Sequence, residues 1–269
     1  MFLDVQYDLC NTTQSLNTPD PLVVVRQHTH HPHFAEVALL CALLSYGNAK
    51  QIVAFLSALD FALLETPNTH KNQTMPYYRL QNAQDIEALF AILRECIRRG
   101  GIKEIFMYGL QNTTYAPHRI LNAIYHSIAT LHEIAKDLGV QSRGLVFALG
   151  AGLAQKPKAS PDSHAHSVSI RFSPKGKSPL KRWNLFMRWM VRDDALDFGI
   201  WQDMIDPSEL IIPLDTHTFR IGHRLGLLKR KTYDLAAAIE LTDSLKTYCP
   251  SDPVRYDFAL YRIGQAEQG

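Results

Sequence analysis

Residues 211–226 read Ile-Ile-Pro-Leu-Asp-Thr-His-Thr-Phe-Arg-Ile-Gly-His-Arg-Leu-Gly, and the prediction of the fold starts from this stretch. Pro213 and Leu214 bring a single carboxylate, Asp215, to the start of an amphipathic run. Aspartate is a preferred N-cap, because its side-chain oxygen accepts hydrogen bonds from the free amides of the first helical turn. The pattern therefore predicts a helix that begins just after Asp215, and taken alone it favours a capping role for this residue.

A second helical pattern lies upstream, Lys181-Arg-Trp-Asn-Leu-Phe-Met-Arg-Trp-Met-Val-Arg192, and it also begins with a charged residue. It follows a turn at residues 173–180 that is rich in Gly, Pro and Lys. Arg188 and Arg192 lie on the same helical stripe as Lys181. Such a stripe is usually a solvated helix side, but here it begins at a candidate nucleophile and could flank a cleft. Lys181 and Asp215 are thus candidates for an amine and carboxylate pair at two helix starts.

These segments resemble a known family. Leu214-Asp-Thr-His-Thr-Phe-Arg-Ile221 resembles the aspartate-bearing segment of the helix-hairpin-helix DNA glycosylases, and Lys181 falls where their bifunctional members carry the Schiff-base lysine. The spacing between the two is longer than in most members and is similar to the archaeal 8-oxoguanine glycosylase branch. Asp257-Phe-Ala-Leu-Tyr-Arg-Ile-Gly264 resembles that branch's Asp-x-x-x-Trp base-recognition helix, with Tyr261 in place of the Trp. The likeness covers residues 179–264 well and the preceding part loosely, and the chain is also similar to a bacterial family that carries the 181–192 string.

The resemblance implies a DNA glycosylase with AP lyase activity that acts in base excision repair on 8-oxoguanine in double-stranded DNA. Asp215 would stabilise the oxocarbenium character that develops as the base leaves, and Lys181 would capture C1′ as a Schiff base. The flipped base needs an aromatic slot with hydrogen-bonding partners. Asp257 would contact its edge and Tyr261 would stack on it.

Further roles follow from the same resemblance. Phe186 lies one residue from the position of the branch's second stacking aromatic, and Asn48 belongs to a Ser-Tyr-Gly-Asn turn that resembles the turn facing the flipped base. The residues expected to contact the DNA backbone are Lys175, Gly176, Lys177, Ser178 and Arg188. Small residues and lysines before a helix start suit phosphate binding, although a solvated basic loop would look the same. This turn also departs from the usual Leu-Pro-Gly-Val-Gly hairpin of the superfamily.

The predicted fold is all-α, with two helical lobes and a DNA-binding cleft between them. Residues 34–205 would form a middle lobe with the hairpin and Lys181, and residues 1–33 plus 206–269 would form a second lobe with Asp215 and the C-terminal recognition helix. Helical periodicity is clearest in 34–46, 52–63, 85–99, 117–139, 181–192, 233–248 and 253–265. One short alternating run, residues 166–172, is not sufficient for a sheet.

Composition limits the class of protein. The chain has 269 residues, 46% of them hydrophobic, and a formal net charge of only +2, so DNA binding would need a local basic face. The four cysteines are scattered, and Cys41 and Cys96 lie in apolar helical patterns, which indicates buried thiols in a reducing compartment. No four-cysteine run follows Asp257, which excludes the iron–sulfur cluster of some relatives. Asp4 and Asp8 interrupt any signal peptide, and no apolar stretch approaches the roughly 20 residues of a membrane span. We expect a cytoplasmic, nucleoid-associated monomer without a cofactor or metal.

Two other classes of function remain open. A non-catalytic nucleic-acid-binding protein could keep the same helical fold. A metal-dependent hydrolase could use the histidines within 28–33 together with His217 and His223. Zinc sites, however, usually recruit ligands from separated elements, and Pro32 interrupts regular spacing in the first cluster.

Overall fold

The computed structural model describes residues 2–66, 75–114, 116–151, 153–156, 171–174 and 178–266. Within these ranges the fold is almost entirely helical, which confirms the predicted all-α class. The helices are α1 (Phe2–Cys10), α2 (Leu22–Gln27), α3 (Phe34–Leu43), α4 (Ala49–Ser57), α5 (Ala83–Arg98), α6 (Gly101–Asn112), α7 (Arg119–Asp137), α8 (Arg143–Leu149), α9 (Lys181–Val191), α10 (Thr216–Arg224), α11 (Leu235–Lys246) and α12 (Asp257–Ala266). Short 3-10 segments occur at Thr13–Asn17, Phe61–Leu64, Pro207–Glu209 and Pro253–Tyr256. None of the helices in the described ranges combines the length and apolar character that a bilayer span requires.

The chain divides into two compact units. One unit comprises Met1–Phe61 and Ser178–Gly269, and the other comprises Ala62–Lys177. These boundaries differ from those of the predicted lobes, which were drawn at residues 34 and 206. Lys181 and Asp215 consequently belong to the same unit.

The first unit is built around α3 and α9, which pack against each other. Helix α3 is apolar on every side and is buried along its whole length except at one position, as its sequence predicts. Helix α9 buries its large aromatic residues Trp183, Phe186 and Trp189. The packing of α9 against α3 therefore fixes the position of Lys181, the first residue of α9.

Helices α10 and α12 form another close pair in this unit. Helix α10 begins after its N-cap Asp215, and α12 begins with Asp257 directly after the 3-10 segment Pro253–Tyr256. The N-terminal region contains α1 and α2, and α1 packs on α12.

The second unit contains α5 to α8. Helix α5 starts with a capping box, in which the Asn82 side chain accepts from the Asp85 amide and the Asp85 side chain accepts from the Asn82 amide. Gly100 follows α5 with a positive φ of 109°, and Gly101, with a positive φ of 89°, is already the first residue of α6. Strands β1 (Leu153–Lys156) and β2 (Arg171–Pro174) form an antiparallel pair, whereas the alternating run at 166–172 was judged insufficient for a sheet.

Candidate active site

The start of α9 is held in a strained conformation. Leu180, the residue before Lys181, has a positive φ of 54°, which a residue with a branched side chain rarely adopts. Its amide donates to the Ser178 hydroxyl oxygen at 3.2 Å, and its side chain is buried. Strain of this kind persists only where the surrounding structure enforces it, and it is concentrated at functional sites.

The Lys181 amine lies against the end of α3. Its Nζ donates to the carbonyl oxygen of Ser45 at 3.4 Å, and Arg182 donates to the carbonyl oxygen of Leu43 at 2.7 Å. The Arg182 guanidinium also lies over the Tyr46 ring, 5.5 Å from its centroid. Within the described part of the chain the Lys181 amine forms no ion pair. It is held in place by a single long hydrogen bond and is available for chemistry.

Asp215 is the N-cap of α10, as the sequence predicts. Its Oδ1 accepts from the Thr218 amide at 2.8 Å, and the half-buried side chain leaves Oδ2 without a partner among the described residues. The segment before it is fixed by Tyr233, whose hydroxyl donates to the carbonyl oxygen of Leu214 at 2.8 Å. Capping and a second role are therefore compatible, because the cap uses only one carboxylate oxygen.

A pocket of about 340 Å³ lies within the first unit and joins these elements. Lys181, Asp215, Asp257 and Tyr261 all line it. The structure thus brings together the two predicted catalytic residues and two of the four predicted base-binding residues. The volume of this pocket falls at the lower end of the range of about 300–1,000 Å³ that is usual for small-molecule sites.

Asp257 is a buried carboxylate in the wall of this pocket. Burial raises its pKa to about 6, although the Arg188 guanidinium opposes this effect by donating to Asp257 Oδ2 at 2.7 Å. The carboxylate of Asp215 contributes further to the raised pKa. The pKa of Asp257 is therefore raised well above the usual range of a carboxyl group, as is common for functional carboxyl groups.

Tyr261 contributes an aromatic surface next to this carboxylate. Its ring packs edge-on against His217, with 5.6 Å between ring centroids, and its hydroxyl accepts from Gln265 Nε2 at 2.7 Å. Burial raises the pKa of Tyr261, and the nearby carboxylates of Asp20 and Asp215 raise it further. A neutral, amphipathic ring at this position is suited to stacking on a planar ligand.

Arg188 does not fit its predicted role as a DNA-backbone contact. Its guanidinium is buried and paired with Asp197 at 3.1 Å and with Asp257 at 2.7 Å. Burial by itself lowers the pKa of Arg188, but the charges of the two aspartates outweigh this effect and raise it. The arginine stripe of α9 is therefore neither a solvated side nor a phosphate-binding surface, and its charges are neutralised by buried carboxylates.

Phe186 also departs from its predicted role. The side chain is fully buried and packs edge-on against Trp183 and Trp201, with ring centroids 6.3 and 5.3 Å away. It is absent from the described lining of the pocket. Phe186 is a core residue, which the apolar face of α9 explains.

The remaining predicted residues lie outside the pocket or outside the described chain. Asn48 is an exposed N-cap of α4, whose Oδ1 accepts from the Lys50 amide at 3.0 Å. Its neighbours Gly47 and Ala49 line the pocket. Ser178 is exposed and accepts from Leu180. The predicted backbone contacts at 175–177 lie outside the described residues.

Sequence reasoning did not find several residues that line the pocket, among them Asp20, Tyr233 and Phe258. Asp20 is buried beside α2, where its Oδ1 accepts from the Leu22 amide at 3.0 Å. The Asp20-Pro21 pair is an ordinary helix-start signal, so nothing in the local pattern distinguishes it. These residues come from separate elements, and only the tertiary fold brings them together.

Among the histidines considered for a metal site, His28, His217 and His223 pack against aromatic rings. His28 packs on Phe61 at 4.5 Å between ring centroids, and His223 packs edge-on against Phe219 at 4.7 Å. In the parts of the chain that the structure describes, no group of three or more His, Cys, Asp or Glu side chains is arranged to hold a metal ion. The geometry therefore gives the metal-dependent hydrolase no support.

Gly264 allows α12 to approach α10 closely at His217, which lines the pocket. A Cβ at this position would lie 2.6 Å from the Cβ of His217, so Gly264→Ala must displace one helix. We expect this change to lower the free energy of unfolding by about 1–3 kcal/mol in a urea titration. Gly222→Ala is the matched control in α10, because its Cβ would meet leucine side-chain atoms only at 3.3–3.4 Å. Equal destabilisation by the two changes would contradict this assignment of the close contact.

Comparison with known proteins identifies the family of this chain. The model of the family described as "Protein of unknown function (DUF2400)" matches residues 20–266, and the chain therefore belongs to this family. The matched range includes every described residue of the pocket lining. No curated protein and no solved structure matches the chain.

Proposed function

We propose that the protein is a DNA glycosylase with associated AP lyase activity that removes 8-oxoguanine from double-stranded DNA in base excision repair. The observation that carries the proposal is the pocket that Lys181 and Asp215 line together with Asp257 and Tyr261. An amine, a carboxylate, a second buried carboxylate and an aromatic ring are the groups that this chemistry requires. The protein would act as a monomer in the cytoplasm, at the nucleoid.

The two catalytic groups act at the same sugar. As the bond between C1′ and the base breaks, positive charge develops on the deoxyribose, and the unpartnered Oδ2 of Asp215 stabilises it. The amine of Lys181 attacks C1′, and the base leaves with the bonding electron pair and takes up a proton. Opening of the C1′–O4′ bond then gives an iminium. Loss of a C2′ proton expels the 3′ phosphate by β-elimination.

The other two residues bind the base. A base inside the duplex is inaccessible, so it must be flipped into a pocket that stacks on its face and forms hydrogen bonds to its edge. The Tyr261 ring supplies the face contact. Oδ1 of Asp257, which has no partner among the described residues, accepts from a ring or amino N–H group of the base.

Reduction with borohydride tests this proposal directly. The protein is incubated with a duplex containing one 8-oxoguanine in the presence of sodium borohydride, which converts an iminium to a stable secondary amine. We expect a covalent protein–DNA adduct, together with strand cleavage when borohydride is omitted. Binding without an adduct or cleavage would contradict the proposal and would indicate a non-catalytic nucleic-acid-binding protein. Cleavage that a chelator abolishes would indicate a metal-dependent hydrolase.

The pH dependence of base release should report on Asp257. Only the ionised carboxylate is purely an acceptor, and its pKa is raised to about 6. Lowering the pH below about 6 should therefore slow single-turnover base release by about tenfold per pH unit. Asp257→Asn should remove this inflection and lower the rate at pH 7.5. An unchanged inflection in the Asn variant would assign the titration to another group.

A further inference from the structure

A cluster of buried charges extends from the pocket wall into the first unit. Arg188 joins Asp257 to Asp197, with distances of 2.7 and 3.1 Å. Arg192 in turn binds Asp197 and donates through Nε to both carboxylate oxygens of Asp252 at 3.0 Å. The pocket carboxylate is thus the end of a continuous chain of ion pairs that runs along α9.

Burying this cluster of charges costs desolvation free energy. Arg188 and Asp257 are 3% and 4% exposed, and the Asp197 side chain is completely buried. Apolar residues of similar volume often stabilise a fold at least as well as such a network, so packing alone does not explain charges at this place. A buried ion pair that forms the wall of a pocket indicates a role in binding.

The geometry gives the two oxygens of Asp257 different uses. Oδ2 accepts from Arg188 Nη1, whereas Oδ1 has no hydrogen-bond partner among the described residues. The planar guanidinium is itself held by Asp197, so the carboxylate cannot rotate without breaking a buried ion pair. Asp257 consequently presents one fixed acceptor oxygen.

We propose that Arg188 is a positioning residue that holds Asp257 with one oxygen towards the bound base, and that this arrangement selects bases with an N–H donor on that edge. This inference rests on the proposed glycosylase function. Asp197 and Arg192 act through Arg188 by fixing its guanidinium. A base without a donor would leave the Asp257 oxygen unpaired, and sites of this kind discriminate strongly against such ligands.

Two substrates separate the base-binding step from the chemistry at the sugar. An 8-oxoguanine duplex requires recognition of the base, whereas a duplex with a preformed abasic site presents only the aldehyde sugar to Lys181. Replacing Arg188 should lower activity on the 8-oxoguanine duplex but not on the abasic-site duplex. In Arg188→Met we expect base release to fall by at least about 100-fold, the scale for breaking a buried charge pair, while borohydride trapping at the abasic site stays within about threefold.

A second variant keeps the test valid if the single change leaves Asp257 unpaired and the protein does not fold. Arg188→Met with Asp257→Leu removes both charges of the pair, and Arg192 remains to pair with Asp197. It should trap the abasic site normally and release base no faster than Asp257→Leu alone, because Arg188 acts only through Asp257. Arg188→Lys should recover part of the activity. Arg94→Met is the control for loss of a partly buried arginine outside the pocket and the charge cluster, and it should leave both activities unchanged.

The outcomes distinguish the two proposals. If the wild-type protein traps neither substrate, the glycosylase proposal itself fails. If the wild type acts on both and either the folded Arg188→Met variant or the double variant still releases 8-oxoguanine at more than about a tenth of the wild-type rate, base release does not depend on the Arg188–Asp257 pair and this inference is overturned. Parallel loss of both activities in the folded double variant would likewise overturn it, because it would indicate a general structural role.

Discussion

Replacement of Lys181 by Gln should abolish the borohydride-trapped adduct and lower strand cleavage by at least about 10⁴-fold, because the amide has no nucleophilic lone pair to attack C1′. The amine occupies a defined position, held by the strained Leu180 and by the Ser45 carbonyl. Gln retains the length and polarity of much of the side chain, so α9 should begin at the same residue. Gel analysis of adduct and cleaved strand under single-turnover conditions gives both quantities.

Lys246→Gln provides the matched control. Lys246 is at the end of α11, and its contact with Asp243 is a surface pair at 4.0 Å. We expect wild-type trapping in this variant. Persistent trapping in Lys181→Gln at more than about one percent of the wild-type level would show that a different amine carries the reaction.

Replacement of Asp215 by Asn should slow release of the base by about 10²–10³-fold, the range found when one preorganised electrostatic group is removed. Asn is as good an N-cap as Asp, so the hydrogen bond to the Thr218 amide and the start of α10 should survive. Asp215→Asn thus removes the carboxylate charge but keeps the N-cap hydrogen bond. Single-turnover release of 8-oxoguanine and a urea titration measure the two effects independently.

Asp206→Asn is the control, because Asp206 is also an N-cap but does not line the pocket. Asp206 caps the 3-10 segment Pro207–Glu209 by accepting from the Ser208 amide at 2.8 Å. This variant should keep the wild-type rate. If Asp215→Asn also kept it, the carboxylate would be no more than a helix cap, which is the role that its local sequence favours.

Much of the helical framework could be predicted from periodicity and caps. A run that is apolar almost all round predicts α3, regular apolar spacing predicts α5 and α7, and the local sequence predicts Asp215 as an N-cap. Helix α6 was not predicted, because Gly100 and Gly101 end one helix and a glycine pair gives no signal that another begins immediately. The N-terminal helices are short, and short patterns are difficult to distinguish from turns.

The site was predictable only as far as local motifs reach. Lys181, Asp215, Asp257 and Tyr261 each belong to a recognisable segment, and all four line one pocket. Arg188 was misjudged because its partners, Asp197 and Asp257, are 9 and 69 residues away in the chain. A charged residue on a helix is usually solvated, and no local pattern reveals that tertiary packing will bury it against two carboxylates.

The most direct test of the central claim is the identity of the residue that becomes linked to DNA. The borohydride-reduced complex with an 8-oxoguanine duplex is digested with protease and nuclease, and the modified peptide is sequenced by tandem mass spectrometry. The account predicts a single deoxyribose-derived adduct on Nζ of Lys181. An adduct on another lysine, or no adduct under conditions in which the protein binds the duplex, would contradict it.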